Sequence, residues 1–144
     1  MKGAGTSVNK TTLKNGIRIL TKKMPHVRSV VMGVWVNVGA RDEADSENGM
    51  SHFIEHMSFK GTRNRSGLQI AKELDAIGGL SNAFTTKENT CFHARILGKH
   101  LPELMDILSD ILINSKFDPE DLERERQVIL QEIKPEAIHD HKHN

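Results

Sequence analysis

Apolar positions along this 144-residue chain recur with two periods, one near two residues and one near three and a half, and the chain switches between them several times. Gly16 to Thr21, after the turn signal Asn15-Gly16, alternates as a strand. Val30 to Val38 is a stronger one, β-branched almost throughout and apolar on both faces, the pattern of a central strand covered on two sides. Asn15-Gly16 precedes the first strand rather than joining the two, and Pro25 lies in the connection. Arg41 to Glu47 is a charged loop. From Met50 to Met57 the period lengthens: Met50, Phe53, Ile54 and Met57 stand at helical spacing and predict an apolar helix face. Gly61 and the polar run to Arg65 end that helix.

Ser66 and Gln69 have capping-box spacing and open a helix to about Ile77, stopped by Gly78-Gly79. Leu80 to Thr85 and Thr90 to Leu97 predict a hairpin around Lys87-Glu88-Asn89. Leu104, Ile107, Leu108, Ile111 and Leu112 mark an amphipathic helix over Leu101 to Asn114, with Pro102 in its first turn. Asp118-Pro119 starts the last helix, with Leu122, Val128, Ile129 and Ile133 as its apolar face and Pro135 at its end. Strands, then helices, a hairpin and more helices predict an α+β fold, a mixed or antiparallel sheet packed with helices, and not an alternating βαβ one.

Composition narrows the function. A hydrophobic fraction of 37% and a charged fraction of 27% suit one globular domain, expected over residues 1–134, followed by a His-rich flexible tail at 135–144. His139, His141 and His143 in that tail can pick up metal adventitiously. The net charge is +1 and the basic residues are scattered, so neither nucleic acid nor an anionic membrane is an expected partner. No apolar run approaches the roughly 18 residues of a spanning helix, and Met1 to Thr6 lacks the apolar core of a secretory signal. The single cysteine, Cys91, excludes an internal disulfide and fits a reducing compartment. Bacterial cytoplasm is the expectation, the mitochondrial matrix the alternative. Cys91 and Trp35 sit in apolar strands as expected core residues, and the lone His93 and His100 read as structural.

The chemistry concentrates in His52-Phe53-Ile54-Glu55-His56. Histidines at i and i+4 lie one turn apart on one helix face and can converge on one ion, and zinc accepts imidazole nitrogen readily. Glu55 borders the same face, within reach of a proton on water acidified by that ion. The competing reading is two histidines packed on a half-buried helix beside a solvated glutamate.

The pattern is the reversed zinc-peptidase signature, and here the chain resembles the pitrilysin/insulinase family of metallopeptidases. The similarity is greatest to its processing-peptidase branch, which holds the β subunit of the mitochondrial processing peptidase and bacterial relatives. It extends over Gly49 to Thr62, Gly78 to Thr85, Glu88 to Phe92 and Glu123 to Glu132, within a span of roughly residues 10 to 134. The resemblance implies Zn2+ as cofactor, with Glu132 on a later helix as third ligand beside His52 and His56. It also implies that Glu125 supports the site from behind the ligands, and that Asn82, Ala83 and Phe84 line the cleft where an extended substrate adds to a sheet edge. The bland alternatives are salt-bridged surface carboxylates near Arg124 and Arg126, and an ordinary strand with Phe84 in the core.

In that family repeated domains close as a clamshell, the zinc half facing a second half that also binds substrate. This chain ends soon after Glu132, so a second family domain or subunit is the expected partner. The expected activity is that of a zinc-dependent endopeptidase domain acting on extended peptides or presequence-like segments. The alternative is a truncated, non-catalytic zinc-binding interaction module or partner-dependent subunit.

Overall fold

The computed structural model describes residues 7–139, with side chains to Glu132. Among these residues the order is β1 (Val8–Thr12), β2 (Arg18–Lys22), β3 (Ser29–Val36), α1 (Met50–Ser58), α2 (Gly67–Ala76), β4 (Leu80–Thr85), β5 (Thr90–Leu97), α3 (Leu101–Asn114) and α4 (Pro119–His139). The architecture is α+β with antiparallel pairing throughout, as the pattern predicts.

The core forms where the two periods meet. Alternate residues of β5, namely Phe92, Ala94 and Ile96, face Ile70 and Leu74 of α2 and Leu104, Ile107, Leu108 and Ile111 of α3. Fully burying one such side chain is worth about 1.5–3 kcal/mol, so this cluster fixes both helices on one face of the sheet. A buried polar clamp ties the same helices together: Asp110 of α3 accepts from Thr62 (2.6 Å), Asn64 (2.6 Å), Asn114 (2.8 Å) and Arg65 (2.9 Å). Arg65 also reaches Glu73 of α2 at 2.8 Å.

Several expectations change. The centre of the three-stranded sheet is β5, not β3, which lies at the edge in the order β3-β5-β4. Only Val30 and Met32 of β3 pack against the core. Val31 and Trp35 point to the opposite face and are 69% and 63% exposed, so Trp35 is not a core residue. A continuous β-branched run is compatible with one covered face as well as two, and this strand has helices on one side only. Cys91 is buried, as expected.

The first strand of the chain is β1, whose Val-Asn-Lys-Thr-Thr sequence carries almost no apolar alternation. It pairs with β2 from Val8 opposite Lys22 to Thr12 opposite Arg18, so Asn15-Gly16 does join two strands as a hairpin turn, with Gly16 at φ +88°. The capping box at α2 is half formed: Ser66 Oγ accepts from the Gln69 N–H at 3.2 Å, while the Gln69 carboxamide donates to Glu73 instead. Asp118 Oδ1 accepts from the Glu120 N–H and caps α4. That helix runs through Pro135 to His139. Proline removes one donor and crowds one carbonyl, but the residues after it still satisfy the carbonyls behind them. Residues 135–139 are therefore helix and not tail; the side chains of Ile133 and His139, and all of His141 and His143, lie outside the described residues.

The largest revision concerns α1. Met57 of the predicted apolar face is buried, but Met50 and Ile54 are 46% and 43% exposed. The buried positions are Ser51, Glu55, Met57 and Ser58, so a largely polar face turns inward against β4 and α4.

The loop before α1 is held from two sides. Ala40 and Arg41 donate their N–H groups to the carbonyls of Thr86 and Lys87 in the β4–β5 turn, at 3.0 and 2.8 Å. Gly39 lies so close to that turn that an added Cβ would sit 2.7 and 2.8 Å from the backbone nitrogens of Asn89 and Glu88, and closer still to the Thr86 carbonyl. Backbone cannot give way as a flexible side chain can. We expect Gly39→Ala to destabilise the fold by about 2 kcal/mol, read as a lower urea midpoint at unchanged m-value.

Candidate metal centre

Glycine at position 49 lets the chain enter α1 sharply, with φ +91° in the left-handed region. The carboxylate of Glu43 then receives the new helix: Oε2 accepts from the Gly49 N–H and Oε1 from the Ser51 N–H, both at 2.7 Å. Burial alone would raise the Glu43 pKa, but these hydrogen bonds outweigh it and hold the carboxyl below its ordinary value. An anion at the N-terminus of α1 also matches the helix dipole. The helix carrying both histidines is thus anchored at its start by a residue seven positions upstream of Met50.

One turn into α1, His52 and His56 bring their Nε2 atoms to 2.9 Å, with the rings perpendicular. The Glu132 carboxylate of α4 arrives from the other side, with Oε2 3.9 Å from His52 Nε2 and 3.8 Å from His56 Nε2. One donor atom from each of the three lies within 4.8 Å of the others. An ion 2.0–2.1 Å from each donor at tetrahedral angles needs separations of roughly 3.3 Å. The observed distances bracket that value, so modest side-chain torsions suffice. The donor chemistry of two imidazoles and one carboxylate suits Zn2+, and three protein ligands leave a coordination position open.

Behind the three candidate ligands, His56 Nδ1 meets Glu125 Oε1 at 2.8 Å, and Lys60 Nζ meets Glu125 Oε2 at 2.6 Å. A neutral His56 that donates from Nδ1 carries its lone pair on Nε2, the atom facing His52 and Glu132. Glu125 is 6% exposed. Burial pushes its carboxyl up, but the hydrogen bonds and charges of Lys60 and His56 more than offset this and hold it below the ordinary range. The bland reading of Glu125 as a surface carboxylate paired with Arg124 or Arg126 does not hold; Arg124 pairs with Asp121 and Arg126 with Glu123. Glu125→Ala is expected to lower zinc affinity by roughly 10–100-fold, the cost of losing a carboxylate that orients a histidine ligand, as measured by competition against a chromophoric chelator.

Glu55 lies on the same helix between the two histidines, buried to 8% exposure. Its Oε2 accepts a 2.5 Å hydrogen bond from the Thr85 hydroxyl at the end of β4. That strand is the other edge of the sheet, with Asn82, Ala83 and Phe84 along it. Phe84 is not in the core: it is 36% exposed on the open sheet face, edge-on to Trp35 at 5.6 Å. The Ala83 N–H is taken by its neighbour's Asn82 Oδ1 at 2.9 Å. His93 and His100 lie elsewhere, beside Phe84 and Glu103 respectively.

Three participants carried no local signal. Thr85, Lys60 and Glu43 act across 30, 65 and 8 positions of sequence, to Glu55, Glu125 and Ser51. A polar face of α1 aimed inward is the sign that unites them.

The sequence profile of the insulinase family, peptidase family M16, matches residues 18–142. A Streptomyces coelicolor protein named as an uncharacterized zinc protease is 50% identical over 131 residues, covering 91% of this chain and 28% of its own length. A Bacillus subtilis protein named in the same way is 46% identical over 127 residues, covering 88% of this chain and 31% of its own. The β subunit of the mitochondrial-processing peptidase of Neurospora crassa is 40% identical over 147 residues, covering 98% and 31%. The crystal structure of a protease from Helicobacter pylori superposes with a TM-score of 0.84 at 25% identity, over 88% of this chain and 31% of that one. The chain thus spans 28–31% of the length of these relatives. Since the family profile takes in most of its residues and a solved protease shares its fold, the chain belongs to the insulinase family of peptidases, M16.

Proposed function

We propose that this chain is the zinc-holding portion of a metalloendopeptidase, with His52, His56 and Glu132 as ligands and Glu55 as general base. One observation carries the reading. Two imidazoles and a carboxylate from separate helices converge within 4.8 Å, and a buried carboxylate lies on the same helix between the histidines. Zinc held there supplies a Lewis acid that polarises a peptide carbonyl and makes water acidic near neutral pH. Glu55 has Oε2 engaged by Thr85, which leaves Oε1 to take the proton from water and return it to the departing amine. Glu125 holds His56 in the tautomer that offers Nε2.

The free edge of β4 lies beside this centre, and an extended peptide would add there by main-chain hydrogen bonds along Asn82, Ala83 and Phe84. The Asn82 side chain would then release the Ala83 N–H to the incoming strand. Extended or presequence-like segments are the proposed substrates. His52 and Glu132 side chains are 39% and 50% exposed, so the cleft is open on this chain. A second family domain, in the same polypeptide or in a partner, would cover it. The single thiol fits a reducing compartment such as bacterial cytoplasm or the mitochondrial matrix.

Equilibrium dialysis against Zn2+ tests the ligand set. Wild type is expected to hold zinc at this site, and His52→Ala combined with Glu132→Gln to lose affinity by on the order of 10²-fold or more, beyond the cost of disturbing an orienting partner alone. Equal affinity in the double variant would show the ligands to be wrongly assigned. Cleavage of an unstructured peptide by the zinc-loaded protein tests the reaction.

A further inference from the structure

Glu55 is the odd carboxylate of this molecule. The buried Glu125 has Lys60 and His56 against it, and the buried Asp110 has Arg65 and three neutral donors. Glu55 is as deeply placed, at 8% exposure, yet among the described residues it has no cation and one hydrogen-bond partner, the hydroxyl of Thr85. A buried carboxylate with a single donor takes its polar orientation from that donor, since no second hydrogen bond among the described residues competes to set its rotation. Thr85 also terminates β4, and the same residue pairs with Thr90 across the hairpin. Its backbone is therefore fixed by the sheet while its side chain crosses to α1.

We propose that Thr85 is a positioning residue for the reaction: its hydroxyl turns the Glu55 carboxylate so that Oε1, and not Oε2, faces the metal centre, and it ties that orientation to the strand edge beside it. The inference rests on the peptidase reading above and assigns to it a residue that touches neither ligand nor substrate. Three observations support it. The hydrogen bond is short at 2.5 Å, it is the sole one on a buried carboxylate among the described residues, and its donor sits next to the Asn82–Phe84 segment. Thr85 is half-buried, so valine, which matches its shape without the hydroxyl, fits the site.

The test compares wild type, Thr85→Val, Thr85→Ser and Glu55→Gln. In zinc-loaded protein cleaving an unstructured peptide, Thr85→Val should lower kcat by on the order of 10–100-fold, the value of one hydrogen bond to a charged group. KM should stay within about twofold, because no substrate contact is lost. Thr85→Ser restores the hydroxyl and should recover most of kcat, which a merely structural role would not require. Zinc content should be equal in all four proteins. A second readout needs no turnover: in metal-free, 13C-labelled protein the Glu55 carboxyl resonance, identified by its loss in Glu55→Gln, should move in Thr85→Val and return in Thr85→Ser.

The outcomes separate the two ideas. If Glu55→Gln abolishes cleavage while Thr85→Val cleaves like wild type, or if the Glu55 resonance does not move, the Thr85 assignment is overturned and the peptidase reading stands. If Glu55→Gln cleaves as well as wild type, the peptidase reading falls and the Thr85 role with it; if loaded wild type cleaves nothing without a second domain over the cleft, the carboxyl resonance alone decides the Thr85 role.

Discussion

Replacing Glu55 by glutamine is expected to leave zinc uptake intact and to lower peptide cleavage by on the order of 10²–10⁴-fold, the usual contribution of a positioned general base. The substitution is nearly isosteric, and a carboxamide oxygen can still accept from Thr85, so the fold of α1 and its contact with β4 are kept. What disappears is the capacity of the free oxygen to take a proton. The loss should fall on kcat with KM little changed, since the deficit is confined to the transition state. This contrasts with Glu125→Ala, where zinc affinity is the quantity that drops. Equal cleavage by wild type and Glu55→Gln, with zinc present in both, would take Glu55 out of the mechanism.

The second large effect is structural. Asp110→Asn should destabilise the fold by about 3 kcal/mol, at the lower end of the range for breaking a buried charge pair, with a fall in Tm of roughly 10 °C for a chain of this size. Burial alone would raise the Asp110 pKa, but hydrogen bonds from Thr62, Asn114, Asn64 and Arg65 overcome it and hold the carboxyl well below the usual range. The Arg65 guanidinium, bonded to Asp106, Asp110 and Glu73, is pushed in the opposite direction, above its ordinary value. A folded-state pKa below the unfolded one stabilises the fold at pH above the unfolded carboxyl, near 3.9, and the benefit is lost as pH falls further. Denaturation of wild type and Asp110→Asn should therefore differ fully above about pH 5 and converge progressively below about pH 4. Asp106→Asn is the control: its carboxylate is 70% exposed, and surface pairs of that kind are worth about 0–1 kcal/mol.

What sequence conveyed about this molecule follows the range of the interactions. α3 and the start of α4 were legible because their signals are local: helical spacing of Leu104, Ile107, Leu108 and Ile111, and a capping Asp118 before Pro119. β5 was legible as a strand, but its place at the centre of the sheet was not, since order in a sheet depends on partners distant in sequence. β1 was invisible because its alternation is almost entirely polar, and the strength of β3 was misleading because hydrophobicity does not say how many faces are covered. In the candidate site, His52, Glu55 and His56 are legible from one turn of helix. Glu132 and Glu125 followed only from family resemblance, and Thr85, Lys60 and Glu43 from neither. The inward polar face of α1 conflicts with the rule that helices bury their apolar stripe, and such conflicts gather where function is built.

The loop from Gly39 to Ser51 grips the β4–β5 turn with Ala40 and Arg41 and the start of α1 with Glu43. Apart from the Glu43 carboxylate and an exposed ion pair between Arg41 and Glu88 of the turn, these grips are main-chain donors and acceptors, which every residue except proline supplies in full. Such a tie is nearly blind to side-chain identity. Its exposed positions are free to drift in sequence without altering how the histidine helix sits against the strand edge, while Gly39, proline at 40 or 41, and loss of the Glu43 carboxylate mark where that freedom stops. Variation in this loop among relatives would thus be a poor guide to variation in the geometry it maintains.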